Sequence, residues 1–147
     1  MTAKEYLNRG YLLLKSIDAK KGQIDQLRTL AEHVTASYGG EVVSHSRNVH
    51  SLEEAMAKIV DAQNDLGNLI CEYLDVVKEL RQTIDLVADP ECQLLLEMRY
   101  ISMKSWKTIG VLLECCRTQT YNLHKRGLAL VETVLRTREE CNNAATA

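Results

Sequence analysis

The sequence has little of what breaks a chain or specialises it. One proline and seven glycines in 147 residues are too few for a collagen-like or linker-dominated protein. Runs of β-branched and aromatic residues, which favour strands, are missing. Stretches rich in Leu, Ala, Glu, Lys and Gln take their place and point to an all-α protein. No apolar run approaches the roughly 18 residues of a membrane span. Near the N-terminus only Leu12 to Leu14 are consecutively aliphatic and charges follow at once, so no secretory signal is read there. The five cysteines, at 71, 92, 115, 116 and 141, are odd in number and lack framework spacing. Free thiols in a reducing compartment suit that pattern. Together these absences predict a cytoplasmic protein with no membrane partner.

The marks of catalysis are equally sparse. Asp61 and Asp65, like Asp75 and Glu79, are four residues apart, but no histidine accompanies either pair at ligand spacing. Acidic pairs on a helix are most often its wet face. His33, His45, His50 and His124 are scattered, whereas zinc needs converging ligands. Gly39-Gly40 lacks the partners of a phosphate-binding loop, and no serine or cysteine has a recognisable base beside it. The expectation is a non-enzyme without cofactor or metal.

What is present is helical periodicity and an uneven distribution of charge. The formal net charge is −2, yet residues 1–98 carry −6 and residues 99–138 carry +6. An acidic arm joined to a basic head would orient that head toward a polyanion. Thr2 and Glu5 form a capping box that opens a first helix, about 3–38. Its 3-4 repeat runs through Gly10, Leu13, Ile17, Lys20, Ile24, Leu27, Ala31, Val34 and Tyr38. Residues 39–50 show no helical period and read as a loop, with Val42 and Val43 able to fold back. Ser51 and Glu54 form a second box, opening a helix of about 52–87. Leu52, Met56, Ile59, Gln63, Leu66, Ile70, Tyr73, Val77, Leu80, Ile84 and Val87 form its stripe, spanning roughly 50 Å at 1.5 Å per residue. So long a helix needs its stripe covered, and an antiparallel helical hairpin over residues 1–88 does so. Any stripe left over would drive homo-oligomerisation. Gln63, in mid-seam, either fixes register or is a plain imperfection of the core.

Residues 89–138 read as a separate head, with a frayed tail over 139–147. Asp89-Pro90 breaks the run and starts a support helix reaching Tyr100, with Leu94, Leu95, Met98 and Ile101 inside. Ser102 or Ser105 caps the next helix, in which Trp106, Ile109, Leu112 and Leu113 recur at three- and four-residue steps. Glu114 to Arg117 form a tight corner. The last helix, from about Arg117 to Arg138, has Thr120, Leu123, Gly127 and Leu128 on its inner face. This is the helix-turn-helix arrangement, whose second helix can enter a major groove; an αα-hairpin with merely wet polar residues has the same pattern. On the groove reading Arg117, Gln119, Asn122, Lys125 and Arg126 meet base edges, amides suiting adenine and arginines guanine. Thr118, Tyr121, Lys104 and Lys107 meet phosphates. Trp106 either packs between the support helix and the motif or offers a stacking platform. His124 is expected on a helix face near the phosphates.

From Cys92 to Val131 the chain resembles region 4 of the primary sigma factors. The matching elements are LLLEMRY at Leu94–Tyr100, SWKTIG at Ser105–Gly110, Leu113, and TQTYNLHKRGL at Thr118–Leu128. It resembles more closely a family of small phage and prophage proteins of Gram-positive bacteria that carry such a C-terminus. In the sigma pattern the corner reads Leu-Gly-aliphatic-Ser, and here it reads Leu113-Glu114-Cys115-Cys116. Glu114 stands in place of the glycine and Cys116 in place of the capping serine. The resemblance implies duplex DNA binding in transcription regulation, with RNA polymerase as a partner. Two other readings stay open: a packaging or assembly adaptor akin to a small terminase subunit, and a protein-binding module acting on the transcription machinery. A ring would favour the adaptor, and loss of all duplex affinity would leave the module.

Overall fold

In the computed structural model, which describes residues 1–36 and 45–147, every regular element is a helix. Helix α1 spans Ala3–Ala36 and α2 His45–Asp85. Helix α3, Pro90–Leu96, continues into a π-helical turn, Glu97–Ile101. Helices α4, Trp106–Leu112, and α5, Arg117–Ala145, complete the chain. The all-α class is therefore as the composition predicts. Thr2 opens α1 reciprocally, its N–H donating to Glu5 Oε2 at 2.7 Å and its Oγ1 accepting from the Glu5 N–H at 3.3 Å. Asp89 caps α3, accepting from the N–H groups of Glu91 and Cys92, with Pro90 at the first helical position.

The residues form two compact units, and each long helix contributes to both. One comprises Leu13–Glu72. Here α1 and α2 run antiparallel: Ile17, Ile24 and Ala31 are buried from α1, Ile59 and Ala62 from α2, and Lys20 pairs with Asp65 at 3.5 Å. Gln63 is exposed, against its expected place in the seam. The seam keeps a heptad spacing in the other phase: after Leu52, Ile59, Leu66 and Tyr73 the next inward residue lies three positions on, at Ala55, Ala62, Leu69 and Val76, not four. Met56 and Ile70, also assigned to the stripe, are exposed for the same reason, at 51% and 38%.

The other unit comprises Met1–Leu12 and Tyr73–Ala147. Its core gathers Tyr6 and Leu7 from α1, Leu80 and Ile84 from the end of α2, Val87 just beyond it, and Leu95, Leu96 and Tyr100 from the support helix. Ile109 of α4 and Leu123 and Val131 of α5 close it. The buried Thr83 hydroxyl ties three helices together. It lies 2.8 Å from the Tyr6 hydroxyl, and Arg138 Nη1 donates to it at 2.8 Å. Arg9 adds an ion pair to Glu79 at 3.0 Å. At Gly127 α5 packs on α3, where a Cβ would stand in ordinary contact with Leu96 at 3.4 Å and Cys92 at 3.5 Å.

Several boundaries differ from those read in the sequence. His45–His50 are helical, not loop, so Ser51 lies inside α2 and does not cap it. The lack of an apolar period does not exclude a helix. Tyr38, Gly39-Gly40, Val42 and Val43 lie outside the described residues. Helix α2 ends at Asp85, although Val87 still reaches the core. Residues 139–145 continue α5 instead of fraying, since Arg138 anchors that end to Thr83. In the support helix Leu96 is buried and Leu94 exposed, because Pro90 starts the helix in a phase that turns Cys92, Leu95 and Leu96 inward. Of the four apolar residues of α4 only Ile109 is fully buried, and Leu112 is exposed; a two-turn helix has room for one inward anchor. The arm and head read as dividing at residue 88 do not coincide with the compact units, because helix ends from the arm pack into the head's core. Among the described residues no helix is long and apolar enough to cross a membrane.

Candidate functional site

Ser105 starts α4 as expected, its hydroxyl accepting the Thr108 N–H at 3.2 Å. The helix ends in a Schellman arrangement. Cys115 N–H reaches back to the Gly110 carbonyl at 2.9 Å and Glu114 N–H to that of Val111 at 3.2 Å. The residue between helix and corner must be left-handed, and Glu114 is, at φ 54°. The position where the sigma pattern has glycine thus keeps the glycine backbone without the glycine. Gly110 has a separate necessity, since a Cβ there would stand 3.1 Å from the Cys115 carbonyl oxygen. Cys116, with extended backbone, is the N-cap of α5, and its N–H donates to Gln119 Oε1 at 2.9 Å.

The buried face of α5 is Thr120, Leu123, His124, Gly127 and Val131. At 100° per residue Thr118, Asn122 and Lys125 point the opposite way, and all three are exposed. Arg117 and Tyr121 are exposed on one flank of that face, Gln119 and Arg126 on the other. The residues assigned to base edges are therefore not equivalent. No ion pair or side-chain hydrogen bond holds Arg117, Asn122 or Lys125 among the described residues. Gln119 spends its carbonyl oxygen on the Cys116 N–H. Arg126, though more than half exposed, is engaged within its own chain: its guanidinium pairs with Asp89 at 2.5 Å and with Glu91 at 3.8 Å, and Nε donates to Cys92 Sγ at 3.4 Å. Desolvation raises the Asp89 pKa, but the Cys92 and Glu91 N–H groups and the Arg126 charge together hold it below its ordinary value. Arg126 closes α5 onto the α3 cap, a structural post that its sequence position did not disclose. Of the residues assigned to phosphates, Thr118, Tyr121 and Lys107 are exposed. Lys104 is half-buried, and its carbonyl accepts from Arg99 at 3.0 Å.

His124 is not near any solvent-facing edge of α5; it is 9% exposed. Its Nε2 lies 2.8 Å from the Tyr100 hydroxyl, and the Trp106 ring meets it edge-on at 4.6 Å between centroids. Burial, then the charges of Lys4 and Arg99, lower its pKa to about 4. Its place four residues after Thr120 and three before Gly127 puts it on the inner stripe, a signal that its polar character masked. Trp106 packs between His124 and Arg99, whose guanidinium sits 4.6 Å above the indole ring. It remains 39% exposed. Beside it α4 and α5 enclose a groove of about 800 Å³, walled by Trp106, Val111 and Tyr121 with His124 among its lining residues. The whole lining comes from residues 106–124, the helix-corner-helix element, but it joins residues from faces of two helices, so no single helical period announces it.

Comparison with curated proteins and with solved structures gives no match. A family model described as a protein of unknown function matches residues 42–132, from before α2 through the buried face of α5. That is more than half of the chain, and the protein belongs to this family, DUF1492.

Proposed function

We propose that the chain binds duplex DNA by laying the start of α5 in the major groove, as a helix-turn-helix of the sigma-region-4 kind, and regulates phage or prophage transcription. The observation that carries this reading is the exposed face of Thr118, Asn122 and Lys125, flanked by Arg117 and directly opposite the helix's buried side. An amide and cations that no neighbour engages among the described residues, on a helix anchored by its other face, are suited to reading base edges. Lys107, at the start of α4, supplies a phosphate contact that fixes position without sequence. The excess of +6 over residues 99–138 provides the salt-dependent attraction on which such binding rests.

Fluorescence anisotropy with a selected and a scrambled duplex, over a salt series starting near 50 mM, tests this. Asn122→Ala should lose about 1–3 kcal/mol of discrimination between the two duplexes. Lys107→Ala should weaken both alike and reduce the salt slope by about one. Arg126→Ala should act through stability, lowering Tm more than it alters sequence preference, because Arg126 is engaged with Asp89. Variants at Arg117, Asn122, Lys125 and Lys107 that bind like the parent at every salt concentration would remove this face from the DNA reading.

A further inference from the structure

We propose that the groove between α4 and α5 docks an acidic amphipathic helix of a partner protein, seating one large apolar side chain between Trp106, Val111 and Tyr121. Val111 is 71% exposed and Tyr121 64% exposed, and both line the groove with Trp106, giving it an apolar patch open to water. Leaving such a patch in water is unfavourable, and patches of this kind mark interaction surfaces. Its makeup is that of a binding hot spot, in which Trp, Tyr and Arg predominate. A groove of about 800 Å³ lies in the range that takes up ligand-sized groups, and a groove flanked by two helices suits a third helix laid into it.

Charge selects the occupant. Lys107 and Arg117 stand on the rim and Arg99 lies over the far face of Trp106, against the one carboxylate of Glu114. Cations around an apolar floor favour a segment with carboxylates beside its anchor. His124, among the lining residues, stays uncharged down to about pH 4 because it is buried, so the floor accepts an apolar group without a buried charge to offset. A DNA strand fits less well, since its backbone offers nothing apolar to fill the groove and Glu114 would face its phosphates. This reading does not depend on DNA binding. It adds a consequence if DNA is bound, because Arg117 and Tyr121 flank both surfaces and the two ligands would compete.

The chain contains one tryptophan, so the intrinsic fluorescence of Trp106 reports directly on the groove. The probes are a tryptophan-free helical peptide of about 16 residues, with Leu and Phe on one face and Glu and Asp flanking them, and its Lys-for-Glu/Asp counterpart. Added to the full-length protein, the acidic peptide should give a saturable blue shift with a Kd of about 1–100 μM, and the basic peptide none. Val111→Asp, at a solvent-facing position, should keep the circular dichroism of the parent and weaken the acidic peptide at least about ten-fold. The proposal is overturned if the acidic peptide does not saturate by about 1 mM, if both peptides bind equally, or if Val111→Asp binds like the parent. It is also overturned if duplex DNA alone gives the blue shift and Val111→Asp weakens DNA instead, for the groove would then belong to the nucleic acid.

Discussion

Met103 and Glu114 both stand at positive φ, 53° and 54°, and each ends a helix by turning the chain sharply. For a side-chain-bearing residue that backbone costs roughly 1–2 kcal/mol. Glycine removes the cost but loses about 0.5–1 kcal/mol of unfolded-state advantage. Glu114→Gly should therefore stabilise by up to about 1 kcal/mol, a rise of about 2–4 °C in Tm for a chain of this size. Cys116→Ser should add roughly 1 kcal/mol, because a hydroxyl accepts the orphan N–H of the first turn better than a thiol does. A Tm for Cys116→Ser at or below that of the parent would show that the cap is not limiting. His124 makes a different prediction. Its folded pKa of about 4 lies below the ordinary 6.5 or so of imidazole, so between these values the unfolded chain binds a proton that the folded chain does not. Stability is then full above about pH 6.5 and falls as pH drops toward 4, by up to about 3 kcal/mol. Thermal melts across that range should show the loss in the parent and a shallower one in His124→Gln. Equal slopes would place the titration elsewhere.

Two glycines on the same pair of helices should respond oppositely to alanine. Alanine is favoured over glycine inside a helix by about 1 kcal/mol. At Gly127 the added methyl would meet Leu96 and Cys92 side chains at 3.4 and 3.5 Å, ordinary contact, so Gly127→Ala should hold or raise Tm. At Gly110 it would meet a backbone oxygen at 3.1 Å, which cannot swing aside without opening the corner. Gly110→Ala should lower Tm, and chemical denaturation of the pair will show whether the signs differ. The same elements show what could be read from sequence. Thr2 with Glu5, Asp89-Pro90 and Ser105 were legible as helix starts because a cap acts within three residues. The inner stripe of α5 was legible because 3.6-residue periodicity is local. Gln63 was misplaced because a heptad pattern allows the second seam position three or four residues after the first, and packing chose Ala62 over Gln63. The end of α5 was missed because a bond from Arg138 to Thr83, 55 residues away, decides it. Arg126 is the same case within the candidate site: its outward-looking position on α5 was correct, and its partner on α3 was invisible.

At the scale of the chain, local reading divides an arm from a head at the Asp89-Pro90 break, and the packing does not respect that division. A break in a helix marks where the backbone turns, whereas a folding unit is set by which apolar residues share one core. Six of the fifteen buried residues of that core, Ala3, Tyr6, Leu7, Leu80, Ile84 and Val87, precede the break. Thr83, which joins Tyr6 and Arg138, also precedes it. A fragment of residues 89–147 would keep the α4–corner–α5 element yet lose a large part of what it rests on. Chains of about 60 residues have little stability to lose. The fragment alone should therefore show reduced helicity by circular dichroism and no cooperative melt. Residues 1–88 supplied as a separate fragment should restore a cooperative transition on mixing, with the restored fraction rising with concentration, since the two halves of one core must then associate. The Trp106 emission offers a second readout, red-shifted in the fragment and returning to the full-length position on mixing. A fragment 89–147 that melts cooperatively by itself, with the emission of the intact protein, would show that the residues before the break contribute no essential part of the core.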